Sequence, residues 1–223
     1  MIGILIPCFN GRAHIAEVVR GARPHGCPIW VVNDGSSDDS KALALAAGAT
    51  VLDHDHNRGK GAALKTGFDH ALGSGCEAVL TLDADGQHNT QEIPAFLAAH
   101  RSTPQALIIG TRSFDPRRMP LRSRIGNAIS TWWISRFAGR RHRDTQSGYR
   151  LYPRALLAVP IETAHFETET ELLLRAAQLS IPLVELPIET IYPSDHTTHF
   201  RGFADTWRVL TVVLKSPFWK RAQ

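Results

Sequence analysis

Long apolar runs are absent from this 223-residue sequence. A membrane-spanning helix needs about 20 consecutive apolar residues, and the longest late apolar run, Val209–Leu214, is far shorter. The chain also enters a strand-like run, Ile2–Ile6, without a preceding basic segment, which predicts that it has no signal peptide. We therefore expect a cytoplasmic protein without a transmembrane span, in which any membrane contact is peripheral and on the cytoplasmic face.

Cysteine is also scarce. The three cysteines, at positions 8, 27 and 76, are odd in number, and no two of them form a C-x-x-C pair. This excludes a cysteine-based zinc or redox motif and fits a reducing cytoplasm. Histidine is more frequent, but the pairs at 54 and 56 and at 196 and 199 have charged neighbours. We expect these four to be solvated loop residues rather than metal ligands.

Two common phosphate-binding signatures are missing. The segment Arg58-Gly59-Lys60-Gly61 is not a P-loop, because no glycine lies five residues before Gly59 and because Lys60 is followed by glycine rather than Ser or Thr. No G-x-G-x-x-G motif follows the first predicted strand. A nicotinamide or flavin dinucleotide fold is therefore not expected.

What the sequence does contain is an uneven distribution of charge. The formal net charge is only +4, but residues 112–154 carry eleven arginines against two acidic residues, Asp115 and Asp144. Arginine suits bidentate phosphate recognition, so this segment predicts an anionic partner such as a diphosphate, a lipid phosphate or a membrane surface. A solvated basic face is the alternative. The aromatic residues are too scattered to stack nucleic-acid bases, so nucleic acid is not an expected partner.

Hydrophobic periodicity in the first half alternates between strands and helices. A hydrophobic content of 43% in 223 residues suffices for one core, and the alternation predicts a single α/β domain with a mostly parallel sheet. The predicted strands are Ile2–Ile6, ended by Pro7, then Ile29–Val32, Thr50–Leu52, Val79–Leu82 and Ala106–Gly110. The predicted helices are Ala13–Arg20, Lys41–Ala47, a helix that residues 57–61 open and that ends near Leu72, and Gln91–Ala99.

The second half is less regular. Leu121–Phe137 has an apolar residue at every fourth position, which predicts an amphipathic helix that either packs on the core or faces a membrane. Prolines 182, 187 and 193 predict that the extended segment 182–192 is an edge strand. Residues 147–152 are a further predicted strand, and Phe166–Leu179 and Phe203–Leu214 are predicted helices. An aromatic and basic tail at 217–221 suits either a membrane interface or an ordinary docked C-terminus.

Two carboxylates follow the fourth predicted strand, one residue apart. Asp83 and Asp85 stand where the buried run Val79–Leu82 meets water, and residues i and i+2 of an extended chain share a side. Two converging carboxylates repel each other unless a cation or a shared proton relieves them. A hard divalent cation with oxygen ligands would do so. A polar turn is the alternative reading.

The ends of the other predicted strands supply further polar groups. In a parallel sheet the carboxyl ends of the strands meet at one crevice, where ligands bind. These ends carry residues 7–10 (Pro-Cys-Phe-Asn), 33–36 (Asn-Asp-Gly-Ser) and 110–112 (Gly-Thr-Arg). Together they suit a metal-bound nucleotide diphosphate. Asp34 can accept hydrogen bonds from a base, the aspartate pair can hold the metal, and Arg112 can neutralise the charge of the phosphates.

These motifs occur in the order typical of a known family. They are residues 7–10, 32–38 (Val-Asn-Asp-Gly-Ser-Ser-Asp), 57–61 (Asn-Arg-Gly-Lys-Gly), 83–88 (Asp-Ala-Asp-Gly-Gln-His) and 110–112. The chain resembles family-2 glycosyltransferases of the GT-A fold, in particular the polyprenyl-phosphate branch of dolichyl-phosphate mannose or glucose synthases. Residues 144–149 and 166–169 also resemble that branch, so the resemblance spans about residues 2–195.

The resemblance implies a GT-A-type, Rossmann-like three-layer α/β/α sandwich in one domain. Residues 1–112 would form the half that binds the nucleotide sugar, 113–200 the acceptor side, and 201–223 a C-terminal amphipathic helix and tail. The cofactor it implies is Mg²⁺ or Mn²⁺. The implied metal ligands are Asp83, Asp85 and Gln87, and the implied donor-binding residues are Pro7, Asn10, Asp34, Lys60, Asp83 and Ala84.

The resemblance further implies inverting transfer of a hexose from a UDP- or GDP-linked sugar to a lipid-linked acceptor. The catalytic candidates are Asp85, Arg112, Glu169 and Arg201, and the acceptor-side candidates are Arg124, Gln146, Ser147 and His199. The arginine-rich segment favours polyprenyl phosphate as acceptor. A hydroxyl acceptor would instead need a carboxylate base, for which Glu169 or Asp144 is the candidate. A sugar-1-phosphate nucleotidyltransferase is a weaker alternative, because it should carry a Gly-rich loop with Arg and Lys after the first strand.

Overall fold

The computed structural model describes residues 1–112, 147–189, 191, 211–212 and 216. The strands of these residues form one sheet in the order β3-β2-β1-β4-β6-β5-β7. They are β1 Ile2–Cys8, β2 Ile29–Asp34, β3 Thr50–His54, β4 Ala78–Thr81, β5 Leu107–Arg112, β6 Arg150–Pro153 and β7 Leu183–Ile188. All neighbours are parallel except for the two pairs that involve β6. The expectation of a mostly parallel sheet is therefore confirmed.

Helices cover both faces of this sheet. They are α1 Ile15–Ala22, α2 Ser40–Ala47, α3 Lys60–Gly73, α4 Ile93–Ser102, α5 Arg154–Leu157 and α6 Thr168–Gln178. Helix α2 ends at Gly48, whose φ of +97° lets its N–H reach back to the carbonyls of Ala44 and Leu45. Among the described residues, no helix combines the length and the apolar character that crossing a bilayer requires.

The described residues form two apolar clusters in the core, one on each face of the sheet. On one face, Ile4 of β1 shares a cluster with Val18 of α1 and Phe96 of α4. On the other face, Leu5 shares a cluster with Phe68 of α3 and with side chains of α5 and α6. Because successive strand residues point to opposite faces, each inner strand feeds both clusters. The result is the expected three-layer α/β/α sandwich.

Four strands extend further toward their carboxyl ends than the sequence pattern indicates, and one of them, β5, continues to Arg112. β1 continues through Pro7 to Cys8, and β2 and β3 continue to Asp34 and His54. The sheet tolerates Pro7, which has no N–H to donate, because the pairing of β1 with β4 ends at Leu5, opposite Thr81. Asp34 and His54 are therefore strand residues on adjacent strands, rather than loop residues.

The largest departure from expectation is the placement of β6. This strand covers Arg150–Pro153 instead of residues 147–152, and it is inserted antiparallel between β4 and β5. Its Leu151 pairs with Leu80 of β4 on one side and with Ile108 of β5 on the other. The segment before β6 is thereby brought to the carboxyl end of β4, next to the two aspartates.

The remaining predictions from the second half have mixed outcomes. Pro187 lies in β7, an edge strand of the sheet that the described residues form, which confirms the predicted edge position. Helix α6 starts at Thr168, two residues later than predicted. The predicted helix Leu121–Phe137, most of the predicted last helix and the tail at 217–221 lie outside the described residues. Within the last predicted helix, Thr211 and Val212 are helical, and Val212 packs in the core.

Candidate active site

Asp83 and Asp85 follow the carboxyl end of β4, which ends at Thr81. The main-chain N–H of Asp83 donates to Nδ1 of His88 at 3.0 Å, and Oδ1 of Asp85 accepts from the main-chain N–H of Gln87 at 3.0 Å. Both carboxylates are partly exposed. The pair predicted from the sequence is thus held in a turn at the carboxyl edge of the sheet, within reach of solvent.

Lys60, the first residue of α3, forms an ion pair with each of two carboxylates. Its Nζ lies 2.6 Å from Oδ1 of Asp83 and 2.9 Å from Oε1 of Glu169. Burial by itself lowers the pKa of Lys60, but the two carboxylates outweigh burial and raise this pKa above its ordinary value. Lys60 is therefore a fixed cation between the turn after β4 and the first turn of α6.

The two glycines that flank Lys60 allow α3 to start this close to the segment before α6. Gly59 has a φ of +97°, and a Cβ at this position would overlap the main-chain oxygen of Ala164. A Cβ on Gly61 would overlap the side chain of Thr168. The Gly-Lys-Gly sequence is not a P-loop. Its two glycines instead permit the close packing that places Lys60 beside Asp83 and Glu169.

Gly148 lies directly beneath the Lys60–Asp83 ion pair. A Cβ at this position would lie 2.6 Å from Oδ2 of Asp83 and 2.9 Å from Nζ of Lys60. The main-chain oxygen of Gly148 accepts a hydrogen bond of 2.7 Å from Oγ1 of Thr81. A Cβ at residue 148 would therefore displace the end of the Asp83 or Lys60 side chain from this ion pair. The sequence places Gly148 in the motif at 144–149 but does not indicate this role.

Arg150 is fully buried behind the site. Its Nε donates to the main-chain oxygen of Ser147 at 2.7 Å, and its Nη1 donates to the main-chain oxygen of Glu169 at 2.7 Å. Arg150 thereby ties β6 to α6. The sequence groups this arginine with the phosphate-facing basic segment, which is wrong for Arg150, because β6 runs through the interior. Ser147, an acceptor-side candidate, is itself 1% exposed.

His88 is held by a stack of three rings. The His88 ring lies 4.9 Å from the ring of Tyr149, and Tyr149 lies 4.4 Å from the ring of Phe96, in both cases between ring centroids with the planes nearly parallel. Oη of Tyr149 donates to the main-chain oxygen of Asn89 at 3.2 Å. The stack fixes the ring nitrogen that receives the Asp83 N–H, so His88 belongs to the site although the sequence predicts no role for it.

The loops after β1 and β2 are hydrogen-bonded to each other. Asn10, which has a φ of +51°, donates its main-chain N–H to Oγ of Ser36 at 2.9 Å and accepts at Oδ1 from the N–H of Ser37 at 2.9 Å. The next residue, Gly11, packs against Ala84, since a Cβ on the glycine would lie 3.3 Å from Cβ of Ala84. The donor candidates Asn10 and Ala84 are thus on adjoining loops.

Asp34 ends β2 and is 3% exposed. Its Oδ1 accepts from Nδ1 of His54 at 2.6 Å and from the main-chain N–H of Arg58 at 2.9 Å. Its Oδ2 accepts from the main-chain N–H of Gly59 at 2.8 Å. His54 is buried at 7% exposure, so the expectation of a solvated loop histidine is wrong. Asp34 therefore anchors the loop that opens α3.

The carboxylate of Asp85 lies in an environment that disfavours its negative charge. The described residues contain no group of three or more His, Cys, Asp or Glu side chains that could hold a metal ion by themselves. Burial and then the neighbouring Asp83 raise the pKa of Asp85, because both disfavour its negative charge. The oxygens of Asp83, Asp85 and Gln87 are hard donors. They fit a divalent cation that takes its remaining ligands from substrate or water.

The structure gathers most of the predicted donor side of the site at one edge of the sheet. Pro7 and Asp34 are at the carboxyl ends of β1 and β2, and Arg112 is the last residue of β5. The other candidates described above lie in loops or helix starts that follow these strands or face them. Five candidates lie outside the described residues: Arg124, Asp144, Gln146, His199 and Arg201.

Comparison with models of protein families assigns the chain to a class of enzymes. Residues 3–157 match the model of glycosyl transferase family 2. The chain belongs to that family. It is therefore a glycosyltransferase, in agreement with the resemblance carried by its strand-end motifs.

Individual relatives and a solved structure extend this finding. The chain is 30% identical over 201 residues to polyprenol monophosphomannose synthase of Mycolicibacterium smegmatis, covering 83% of this chain and 75% of that one. It is 27% identical over 216 residues to UDP-N-acetylglucosamine–dolichyl-phosphate N-acetylglucosaminyltransferase of Methanococcus voltae, covering 86% of each. Its fold matches that of glucosyl-3-phosphoglycerate synthase of Mycobacterium tuberculosis, a structure solved with Mn²⁺, UDP and phosphoglyceric acid. The TM-score is 0.79 and the sequence identity is 16%, and the match covers 97% of this chain and 78% of that one. This likeness confirms the GT-A-type architecture.

Proposed function

We propose that this glycosyltransferase moves a hexose from a nucleotide diphosphate sugar to a polyprenyl phosphate, with inversion at the anomeric carbon and with Mg²⁺ or Mn²⁺ as cofactor. The names of the two curated relatives, which refer to polyprenol and dolichyl phosphate, support this acceptor. The arginine excess of residues 112–154, apart from the buried Arg150, supports it as well. The same segment would favour peripheral contact with an anionic membrane surface.

The observation that carries the proposal is the position of Lys60 between Asp83 and Glu169. A diphosphate sugar needs positive charge at its phosphates, and a divalent cation needs carboxylates. Lys60 and the Asp83–Asp85 pair supply both at the carboxyl edge of a parallel sheet, which is where such folds bind ligands.

The donor nucleotide would occupy the loops that follow β1 and β2. In this arrangement Pro7, Asn10 and Asp34 contact the nucleoside, and Ala84 lies along the path from there to the carboxylates. Lys60 would leave Asp83 and contact the diphosphate, which carries more charge than a single carboxylate. Glu169 would keep hold of the lysine and orient it.

The cation would be held by Asp83, Asp85 and Gln87. When bound, it neutralises charge on the diphosphate and so makes the nucleoside diphosphate a better leaving group. Burial and then the neighbouring Asp83 raise the pKa of Asp85, and a bound cation would offset both by favouring the ionised carboxylate. Asp83 would be shared between the cation and the donor.

The reaction would be a single in-line displacement. An oxygen of the acceptor phosphate bonds to the anomeric carbon while the bond from that carbon to the diphosphate oxygen breaks, and the nucleoside diphosphate leaves with the electron pair. Arg112 and Arg201 would stabilise negative charge on the two phosphate groups. A phosphate monoester has its second pKa near about 6 and is a dianion at neutral pH, so it requires no base.

A hydroxyl acceptor is the second candidate, and the contact between Lys60 and Glu169 weighs against it. A hydroxyl needs a base, but the Glu169 carboxylate is already held in an ion pair, with Oε1 lying 2.9 Å from Nζ of Lys60. The other base candidate, Asp144, lies outside the described residues. We propose that Arg124, Gln146 and His199 bind the acceptor, and that the buried Ser147, whose Oγ accepts from the main-chain N–H of Tyr149, positions this segment on the acceptor side.

Release of nucleoside diphosphate from a nucleotide sugar tests the proposal. With polyprenyl phosphate present, Asp85→Ala should abolish the release that depends on Mn²⁺ or Mg²⁺, while Asp69→Ala on the exposed side of α3 should leave it unchanged. Full activity of Asp85→Ala would contradict the metal assignment. Faster transfer to the free polyprenol than to its phosphate would favour the hydroxyl acceptor instead.

A further inference from the structure

His54 connects the carboxylate of Asp34 to the body of α3. Its Nδ1 lies 2.6 Å from Oδ1 of Asp34, and its Nε2 lies 2.9 Å from Oγ1 of Thr66. A carboxylate oxygen only accepts hydrogen bonds, so the proton is on Nδ1, and in the neutral ring Nε2 accepts from the threonine hydroxyl. The chain of three side chains therefore has one direction of donation, toward Asp34.

The hydrogen bonds of Asp34 can be counted against its lone pairs. Each carboxylate oxygen has about two acceptor sites. Oδ1 uses both, for His54 and for the main-chain N–H of Arg58, and Oδ2 uses one, for the main-chain N–H of Gly59. One acceptor site remains on Oδ2. Asp34 is 3% exposed, so little of its carboxylate is open to further groups.

We propose that His54 is a specificity-determining residue that selects UDP-sugars over GDP-sugars. By occupying Oδ1 of Asp34, it restricts the carboxylate to one N–H of the donor base. This inference rests on the proposed function, in which Asp34 receives the base. Uracil presents a single N–H, flanked by two carbonyl oxygens. Guanine presents two adjacent donors, N1–H and the N2 amino group, which require both oxygens of one carboxylate.

The cost of the wrong base follows from the donor that is left over. If guanine enters this pocket, one of its two donors has no acceptor and loses its water on binding. Sites that leave a buried polar group unpaired discriminate strongly. Cytosine and adenine fit less well still, because each places a ring nitrogen lone pair where the carboxylate needs a proton.

Isothermal titration with UDP and with GDP, both in the presence of Mn²⁺, tests the selectivity. For the unmodified protein we expect GDP to bind at least about tenfold more weakly than UDP. Equal or tighter binding of GDP would overturn the inference and leave the proposed function intact. Binding of neither nucleotide would overturn both, because the proposed function requires a nucleotide diphosphate donor.

Substitutions at His54 test its part in the selectivity. His54→Leu frees Oδ1 and should lower the ratio of the GDP and UDP dissociation constants at least about threefold, whereas His54→Asn, which keeps an N–H donor near Nδ1, should preserve most of it. The exposed Lys65→Ala variant of α3 serves as control. A loss of affinity that is equal for both nucleotides would show a purely structural role and contradict the inference. If His54→Leu fails to fold, Thr66→Val provides a milder test with the same expected direction.

Discussion

The main-chain N–H of Asp83 donates a hydrogen bond of 3.0 Å to Nδ1 of His88, so a ring five residues later in the chain positions the first carboxylate of the site. Because an N–H only donates, Nδ1 must be unprotonated and the ring proton lies on Nε2. Stacking on Tyr149 holds the ring in this orientation. The turn that carries both aspartates therefore depends on a histidine that need not touch substrate.

Replacing His88 should therefore impair the aspartate turn more than the fold. In His88→Leu the part-buried N–H of Asp83 loses its acceptor, and we expect the turn to shift. The expected loss in kcat/KM is about 5- to 150-fold, equivalent to about 1–3 kcal/mol. His88→Asn offers an oxygen near the former Nδ1 and should recover most of the activity. Steady-state kinetics of both variants measure this, and equal losses would point to ring stacking instead of the hydrogen bond.

Removing Lys60 should lower stability as well as activity. In Lys60→Met, Asp83 and the buried Glu169 lose their shared cation, and we expect the free energy of unfolding to fall by about 3 kcal/mol. Adding Glu169→Gln to that variant should restore part of the loss, because one of the two carboxylates is then neutral. Urea denaturation of the four proteins in this cycle gives the coupling. Strictly additive losses would contradict a shared ion pair.

Gly148→Ala should disable the site while leaving the protein folded. The new Cβ would displace the Asp83 carboxylate or the Lys60 ammonium, and a displacement of about 1 Å in such a site can reduce activity about 100-fold. Gly73→Ala in α3 is the matched control, since a Cβ there meets nothing within 4 Å. We expect it to retain normal kcat/KM. A Gly148→Ala enzyme with comparable kinetics would contradict the close packing described for residue 148.

Arg150→Met should destabilise the protein through its effect on β6 and α6. The main-chain oxygens of Ser147 and Glu169 would each lose a charged donor in a buried position, at a cost of about 2–5 kcal/mol in total. The exposed Arg101→Met variant on α4 should be neutral. Thermal unfolding distinguishes the two, and an unchanged melting temperature for Arg150→Met would show that water can replace the guanidinium.

The fold of residues 1–112 could be predicted from the sequence because each of its helices and strands has a recognisable local sequence pattern. Apolar runs that end in polar residues mark the strands, and glycines such as Gly48 mark where helices stop. The position of β6 could not be predicted, because Arg150–Pro153 is a short strand whose neighbours are chosen by contacts with distant residues. Sequence periodicity carries no information about strand order.

The same distinction applies to the site. Asp83 and Asp85 could be predicted as site residues because two neighbouring carboxylates at a strand end repel each other, and this is visible in the local sequence. The charged neighbours of His54 led to the prediction that it is exposed. Its alternation with Leu52 along β3 would have placed it on the same face of the sheet as Leu52, which packs against the core. No local signal identifies Arg150, because burial of a guanidinium becomes favourable only through main-chain partners that are distant in sequence.

The insertion of β6 has a consequence for how the chain is made. β4 and β5 are synthesised first, but they are not neighbours, and each lacks a partner on its inner side until Arg150–Pro153 has left the ribosome. Unpaired strand edges readily pair with other chains. The nascent protein therefore passes through a stage at which it needs protection from aggregation. A gene truncated just before codon 150 should yield inclusion bodies, and co-expression of a holdase should improve the yield of the complete protein.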